Sequence, residues 1–382
     1  MKSFVKWASF RKVSTPPPMT QEKKDIRNLS FEELTAYLET IHEKPFRATQ
    51  IFEWIYQKQA WFFDDMKNLP APLREKLKNS FHLQPNTLAQ KQVSKEGTTK
   101  FLFDLYDHEK IESVLIPTAT RTTACISTQA GCKFGCKFCA SGIGGWSRNL
   151  SCAEIVAQVL HVKEESQKHK RPLSNIVFMG TGEPLDNFDN LMKAIRIINS
   201  DKAINMGARH ITVSTVGLVP KIKELARQGI QIELAISLHG YDNASRNVLM
   251  PVNRKYPFDE LMEACREYVK LTKRQITFEY ILIKDVTCTE EAVQSLKKAL
   301  QGIICKMNLI PYNPVSEFDH ETPSREEMIA FKNRLEECGI HALIRMPRGR
   351  DVNAACGQLR HLDKDRKQGE TVEVRPENKS VL

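Results

Sequence analysis

The stretch Ala124-Cys125-Ile126-Ser127-Thr128-Gln129-Ala130-Gly131-Cys132-Lys133-Phe134-Gly135-Cys136-Lys137-Phe138-Cys139 opens on a β-rich run and ends on three closely spaced thiols. Its apolar start predicts a strand over Ala124 to Thr128. Further runs of the same kind follow at Asn175 to Met179, His210 to Ser214, Ile232 to Ser237, Ile276 to Ile283 and Lys306 to Ile310. Each precedes an amphipathic stretch: Ser151 to Glu165, Asn190 to Ile198, Pro220 to Gln228, Phe258 to Leu271, Glu290 to Leu300 and Ser324 to Cys338. Six β-then-α units imply an α/β fold with a parallel sheet, curved as an open barrel or doubly wound. In either arrangement chemistry gathers at the carboxyl ends of the strands, where the loops share one crevice.

Cys132, Cys136 and Cys139 stand at C-x3-C-x2-C spacing on one such loop, tight enough to serve a single metal centre. Thiolates are the usual ligands of iron-sulfur clusters, and a four-iron cluster with three local cysteines keeps one iron without a protein ligand. An open iron can bind the amino and carboxylate groups of S-adenosylmethionine (SAM) and pass an electron to its sulfonium, generating a carbon radical. The competing readings are a structural zinc completed by Cys152 or a distant His, or a redox pair of Cys136 and Cys139. Zinc sites generally show two separated ligand pairs, and Cys152 falls inside an expected helix.

Upstream, Phe31 to Thr40, Arg47 to Gln59 and Ala71 to Ser80 carry helical periodicity, and Lys100 to Tyr106 with Lys110 to Ile116 reads as a hairpin around Asp107-His108-Glu109. The chain has 382 residues, 41% hydrophobic and 27% charged, enough for one large core with appendages. Its 56 Lys and Arg exceed its 46 Asp and Glu, a net +10 that favours a polyanionic partner. Ten dispersed cysteines without a secretory apolar core point to a reducing cytoplasm, and no apolar run approaches the ~20 residues a membrane span needs. The first twenty residues lack acids and end in Pro16-Pro17-Pro18, which reads as a short leader, with Met19 an alternative start. Past Leu362 the chain turns polar and reads as a tail.

The triad, with Phe138 before its last cysteine, resembles the signature of the radical SAM superfamily. Closer still are Met179-Gly180-Thr181-Gly182-Glu183-Pro184-Leu185, Ser214-Thr215-Val216-Gly217, Ser237-Leu238-His239, Asn308-Leu309-Ile310-Pro311-Tyr312-Asn313-Pro314 and Ala355-Cys356-Gly357-Gln358-Leu359. Together they resemble the RlmN/Cfr family of RNA adenine methyltransferases from about Leu29 to Leu359. The resemblance implies a partial (β/α)6 radical SAM barrel over 123–362, a helical accessory RNA-binding domain over 29–95 and a hairpin and linker over 96–122; outside it, composition marks a flexible leader over 1–28 and a flexible tail over 363–382.

The resemblance also assigns roles. A [4Fe-4S] cluster would sit on Cys132, Cys136 and Cys139, and Gly182, Glu183, Ser214, Ser237, Leu238, His239 and Asn313 would bind SAM, two molecules per turnover. Cys356 would take a methyl from the first SAM; hydrogen abstraction by the radical from the second would leave a methylene radical that joins the adenine carbon. Release would follow loss of the adenine proton and formation of a disulfide with Cys125. Proton acceptance lies between Glu112 and Cys125, since a base is required in either case.

An adenine carbon is reachable only in an unstacked base, which fits structured RNA, with Arg345, Arg348 and Arg350 available for phosphates. The family implies carbon 2 of an adenine in 23S rRNA and an adenine in tRNA, with an external electron donor of the flavodoxin type. Asn353-Ala354-Ala355-Cys356 looks nearer the carbon-2 members, while Phe134-Gly135-Cys136-Lys137-Phe138-Cys139 is shared with the carbon-8 members. The alternatives are carbon-8 methylation, a radical SAM enzyme with a non-RNA substrate, and an RNA-binding or zinc-dependent structural protein without chemistry.

Overall fold

A computed structural model describes residues 23–84, 86–142, 144–314 and 318–359. The N-terminal part is a set of short helices closed by two paired strands. After β1 (Lys24–Asp25), helix α1 (Phe31–Thr40) starts at Ser30, whose hydroxyl accepts from the Glu33 N–H while the Glu33 carboxylate accepts from the Ser30 N–H. Such reciprocal caps are worth about 1 kcal/mol. Leu34 and Leu38, one turn apart, face the core. Helix α2 (Phe46–Phe52) runs on into a π-helical turn at Glu53–Gln57. Helix α3 (Ala71–Ser80) buries Leu73 and Leu77. Strand β2 (Phe81–His82) then pairs parallel with β1.

The expected leader therefore ends earlier than residue 28. Lys24 to Asn28 form a strand and a 3-10 turn, anchored by buried Ile26 and a buried Asp25–Arg27 ion pair at 2.5 Å. So short a segment carries no periodicity to read. Residues 1–22 of the expected leader and the expected tail over 363–382 lie outside the described residues.

One ten-stranded sheet carries the remainder. Strands β3 (Thr87–Val93), β4 (Thr99–Asp104) and β5 (Lys110–Pro117) form an antiparallel meander that joins β6 (Thr122–Cys125). The chain then detours through an antiparallel ribbon, β7 (Gln129–Gly131) with β8 (Trp146–Asn149). From β6 onward every pairing within the ten-stranded sheet is parallel, through β9 (Asn175–Phe178), β10 (Ile211–Thr215), β11 (Glu233–Ser237), β12 (Ile276–Leu282), β13 (Cys305–Pro311) and β14 (Ala342–Ile344).

The crossovers are filled by α4 (Cys152–Lys168), α5 (Phe188–Asn199), α6 (Val219–Ala226), α7 (Asn243–Leu249) with α8 (Phe258–Thr272), α9 (Glu290–Ala299) and α10 (Arg325–Glu337). Among the described residues no pairing joins β14 to β3, so the sheet is a partial barrel extended by a meander.

Three elements depart from the sequence expectation. The strand expected at Ala124 to Thr128 is instead Thr122–Cys125, because the chain turns after Ile126 to start the ribbon. Strand β3 falls where the helical domain was expected to continue: Thr-Leu-Ala-Gln-Lys-Gln-Val is a mostly exposed edge strand with no apolar alternation. Strand β14 is only three residues long, below what periodicity resolves.

The helical part is held on α4 and α5. Trp61 stacks on His161 at 4.6 Å, Lys163 Nζ donates to the Tyr56 carbonyl at 3.1 Å, and Lys193 pairs with Glu33 at 2.8 Å. Among the described residues no helix is long and apolar enough to cross a membrane.

Candidate active site

The ribbon is what presents the cysteine loop. A Cβ at Gly131 would lie 2.1 Å from the Gly145 carbonyl oxygen, and Gly131 holds φ +78°, so only glycine lets the two strands close here. The Cys132 N–H donates to the Gly145 carbonyl at 2.9 Å, and the Lys137 N–H to the Leu249 carbonyl at 3.1 Å. Cys132, Cys136 and Cys139 then line one cavity of about 1040 Å³, open mouth included, at the carboxyl ends of the parallel strands.

Among the described residues no three His, Cys, Asp or Glu side chains converge as a single metal ion requires. The three thiols instead share a cavity wall. Burial, with the charges of neighbouring thiolates adding, pushes Cys132 up to about 12 and Cys136 well above its ordinary range. Three partly buried thiols on one loop, open to one cavity, are a donor set that an iron-sulfur cluster suits.

Across the cavity the turn after β9 brings in Gly182 and Glu183. Gly182 has φ +104° and approaches Gln129 so closely that a Cβ would lie 2.5 Å from the Gln129 Cβ. Buried Glu183 accepts from the Leu185 N–H at 3.0 Å and the Val216 N–H at 2.8 Å. Burial dominates and raises its carboxyl to about 7, against those hydrogen bonds.

Ser214 and Ser237 end adjacent strands with hydroxyls 3.5 Å apart, both lining the cavity. His239, at φ +50°, accepts from the Ile281 N–H through Nδ1 at 3.1 Å, so its neutral ring carries the proton on Nε2. Burial lowers it to about 3, keeping the ring neutral, and Phe138 packs edge-on at 4.7 Å. Leu238 departs from the expectation: its side chain is fully buried in the core and does not line the cavity, so it offers only backbone there.

Cys356 lines the same cavity, and its loop is stitched to the cysteine loop. The Ala140 N–H donates to the Gly357 carbonyl at 2.7 Å, and Ser141 Oγ to the Leu359 carbonyl at 2.9 Å. Asn313 Nδ2 donates to the Cys356 carbonyl at 3.1 Å while its Oδ1 accepts from Arg350 Nε at 2.8 Å. Asn313 thus spends both amide ends on the Cys356 loop. Cys356 is open to the cavity yet ringed by protein; desolvation, then the Glu279 charge, push its thiol up to about 11, with Arg345 opposing.

Cys125 and Glu112 are placed behind this cavity, not on its wall. Cys125 is buried with Val114, Ala354 and Leu359. Desolvation and the neighbouring Cys356 charge hold its thiol far above the ordinary range. Glu112 faces a smaller cavity of about 420 Å³ that shares Ser141 with the first. It pairs with the buried Lys100 at 3.1 Å.

Three contributors escaped the sequence reading. Glu279 lines the main cavity from the fully buried strand β12, where Asn308 Nδ2 donates to it at 2.8 Å. Arg246 is fully buried and donates to the Leu238 carbonyl at 3.1 Å, Asn253 Oδ1 at 2.9 Å and the Val216 carbonyl at 2.5 Å, tying two cavity loops together. Lys100 is the third. A charged residue inside an otherwise apolar strand was the available signal for Glu279; Arg246 and Lys100 carry none.

Residues 126–298 match the family model of the radical SAM superfamily, and residues 24–83 match that of the ribosomal RNA large subunit methyltransferase N-terminal domain. The chain is 47% identical over 338 residues to the probable dual-specificity RNA methyltransferase RlmN of Clostridium novyi, covering 88% of this chain and 98% of that protein. The counterpart of the same name in Bacillus subtilis is 45% identical, with 92% and 97% covered. Among solved structures, a radical SAM methyltransferase from Sphaerobacter thermophilus superposes with a TM-score of 0.85 at 43% identity, covering 88% of this chain and 99% of that one.

Proposed function

Because the chain belongs to the RlmN family of radical SAM RNA methyltransferases, we propose that it methylates carbon 2 of an adenine in 23S rRNA, and of an adenine in tRNA, through S-methylation of Cys356. As a radical SAM enzyme it uses a [4Fe-4S] cluster and SAM. Cys132, Cys136 and Cys139 are the residues that would hold the cluster. When bound, cluster and SAM supply the methyl group and the one-electron chemistry that breaks a strong C–H bond.

The protein's own residues do the rest. Glu183 and the strand-end groups Ser214, Ser237 and His239 are the residues that would hold SAM in the cavity, with the His239 Nε2–H as a neutral donor. Cys356 carries the methyl, and Asn313 fixes the main chain at that thiol. Its raised pKa makes the thiolate scarce near neutral pH, so Cys356 must give up its proton as it takes the methyl. Glu112, in the smaller cavity that adjoins the first at Ser141, takes the adenine proton; Cys125 then attacks the Cys356 sulfur, the carbon–sulfur bond breaks as the disulfide forms, and the freed carbon takes up a proton to become the methyl group. The apolar surround of Cys125, Val114, Ala354 and Leu359 keeps water from that exchange.

The observation that carries this reading is the shared cavity: Cys356, from the far end of the chain, stands with the three loop cysteines around one space. Needing low-potential electrons, the reaction suits a reducing cytoplasm and a flavodoxin-type donor. The test is anaerobic turnover of the cluster-loaded protein with SAM, a reductant and either RNA, identifying the product nucleoside by mass spectrometry. The expected result is 2-methyladenosine, absent with Cys356→Ala. Formation of 8-methyladenosine would move the target to the other ring carbon; SAM cleavage that modifies neither RNA would overturn the RNA substrate.

A further inference from the structure

We propose that Lys100 is a positioning residue that ties the proton acceptor to the methyl-carrying loop, so that Glu112 and Cys356 keep a common register during catalysis. This rests on the reading of Glu112 as the acceptor of the adenine proton.

Lys100 and Glu112 stand on neighbouring strands, two residues out of direct register, where Lys100 opposes Val114 and Glu112 opposes Leu102. Both are more than nine-tenths buried, and the ammonium lies 3.1 Å from Glu112 Oε1. The same Nζ donates at 3.3 Å to the carbonyl of Asn353, three residues before Cys356. One cation therefore touches the acid and the loop that carries the thiol.

The contact belongs to a larger clasp made by the β3–β4 turn. The Lys95 N–H donates to Asp351 Oδ2 at 3.0 Å, and the Gly349 N–H to Glu96 Oε1 at 2.5 Å. Arg348 lies 3.6 Å from Glu96. A Cβ at Gly349 would lie 2.8 Å from Thr98 Cγ2, so the two segments touch at van der Waals distance. The Cys356 loop is thus gripped by a turn whose last anchor, Lys100, ends on Glu112.

The physical argument is one of cost. Burying an ammonium and a carboxylate is expensive, and as a stability device such a pair is often no better than apolar packing. A pair kept at that cost beside a reactive centre, and bonded further to the nucleophile's own loop, serves geometry.

The experiment compares full-length, cluster-loaded wild type, Lys100→Gln and Lys100→Arg. Two quantities are read: methylation of Cys356 by SAM, from intact-protein mass, and the rate of 2-methyladenosine formation on RNA. Lys100→Gln, which keeps hydrogen-bonding capacity and loses the charge, is expected to methylate Cys356 to within about twofold of wild type. Its RNA turnover should fall roughly tenfold or more, within what a positioned base supplies. Lys100→Arg should restore most of that turnover. Wild-type turnover in Lys100→Gln, or parallel loss of both quantities in Lys100→Gln and Lys100→Arg, would overturn the proposal. If wild type itself forms no 2-methyladenosine, the functional reading fails first, which separates the two outcomes.

Discussion

At the residue scale, the site depends on a few positions where backbone geometry leaves no choice. Gly131 is the sharpest: it combines φ +78° with a carbonyl oxygen 2.1 Å from where a Cβ would sit. Gly131→Ala is expected to cost about 1–3 kcal/mol from the left-handed backbone alone, with the clash in addition. Because the Cys132 N–H is bonded to the same Gly145 carbonyl, the strain falls on the cysteine loop. Iron content per chain and charge-transfer absorbance should both fall well below wild type after reconstitution; unchanged loading would mean the ribbon does not set the loop. Arg246 shows the complementary principle, a buried cation kept because three neutral acceptors satisfy it, with desolvation lowering it to about 10.

At the element scale, the decisive contact is between the N-terminal helices and α4. His161 is sandwiched by Trp61 at 4.6 Å and Phe103 at 5.0 Å, and among the described residues its Nε2 has no hydrogen-bond partner. Burial lowers its pKa from the usual 6.5 to about 4. A histidine depressed in the folded state stabilises the fold fully above the unfolded pKa and loses that contribution as pH falls through the folded one. Stability should therefore drop between pH 6.5 and 4, where the unfolded chain takes up a proton that the folded chain refuses. His161→Phe keeps the stacking and removes the titration. Urea midpoints followed over this window should fall less steeply in the variant, and parallel pH profiles would assign the acid sensitivity elsewhere.

For the whole molecule, the charge balance and the cavity answer to the same substrate. A net +10 and an RNA-modifying family predict binding by phosphate neutralisation. The logarithm of RNA affinity should fall linearly with the logarithm of salt concentration, each neutralised phosphate adding about 0.7–0.9 to the slope. Arg348 and Arg350, named from sequence as phosphate clamps, have donors committed within the protein, to Pro117 and Glu96 and to Asn313. Their alanine variants should therefore disturb the Cys356 loop more than the salt slope. Filter-binding titrations from 50 to 200 mM salt, a range in which a protein making several phosphate contacts loses orders of magnitude in affinity, separate the two effects.

Read alone, the sequence was sufficient for whatever depends on neighbours along the chain. The alternation of apolar runs with amphipathic stretches marked the parallel strands from Thr122–Cys125 to Cys305–Pro311, because periodicity reports which face each segment buries. The thiol spacing marked the cysteine loop, since its ligands lie within one turn of chain. Cys356 was visible only through resemblance, having no local pattern of its own. The tertiary structure alone decided the pairings between distant segments: Ala140 with Gly357, Asn313 with Cys356, Lys100 with both Glu112 and Asn353, and Glu279 pointing inward from a buried strand. It also turned Leu238 into core and Cys125 behind the cavity wall. Local preferences act over a few residues, whereas these contacts follow from strand order and sheet curvature, which bring together side chains that no periodicity relates.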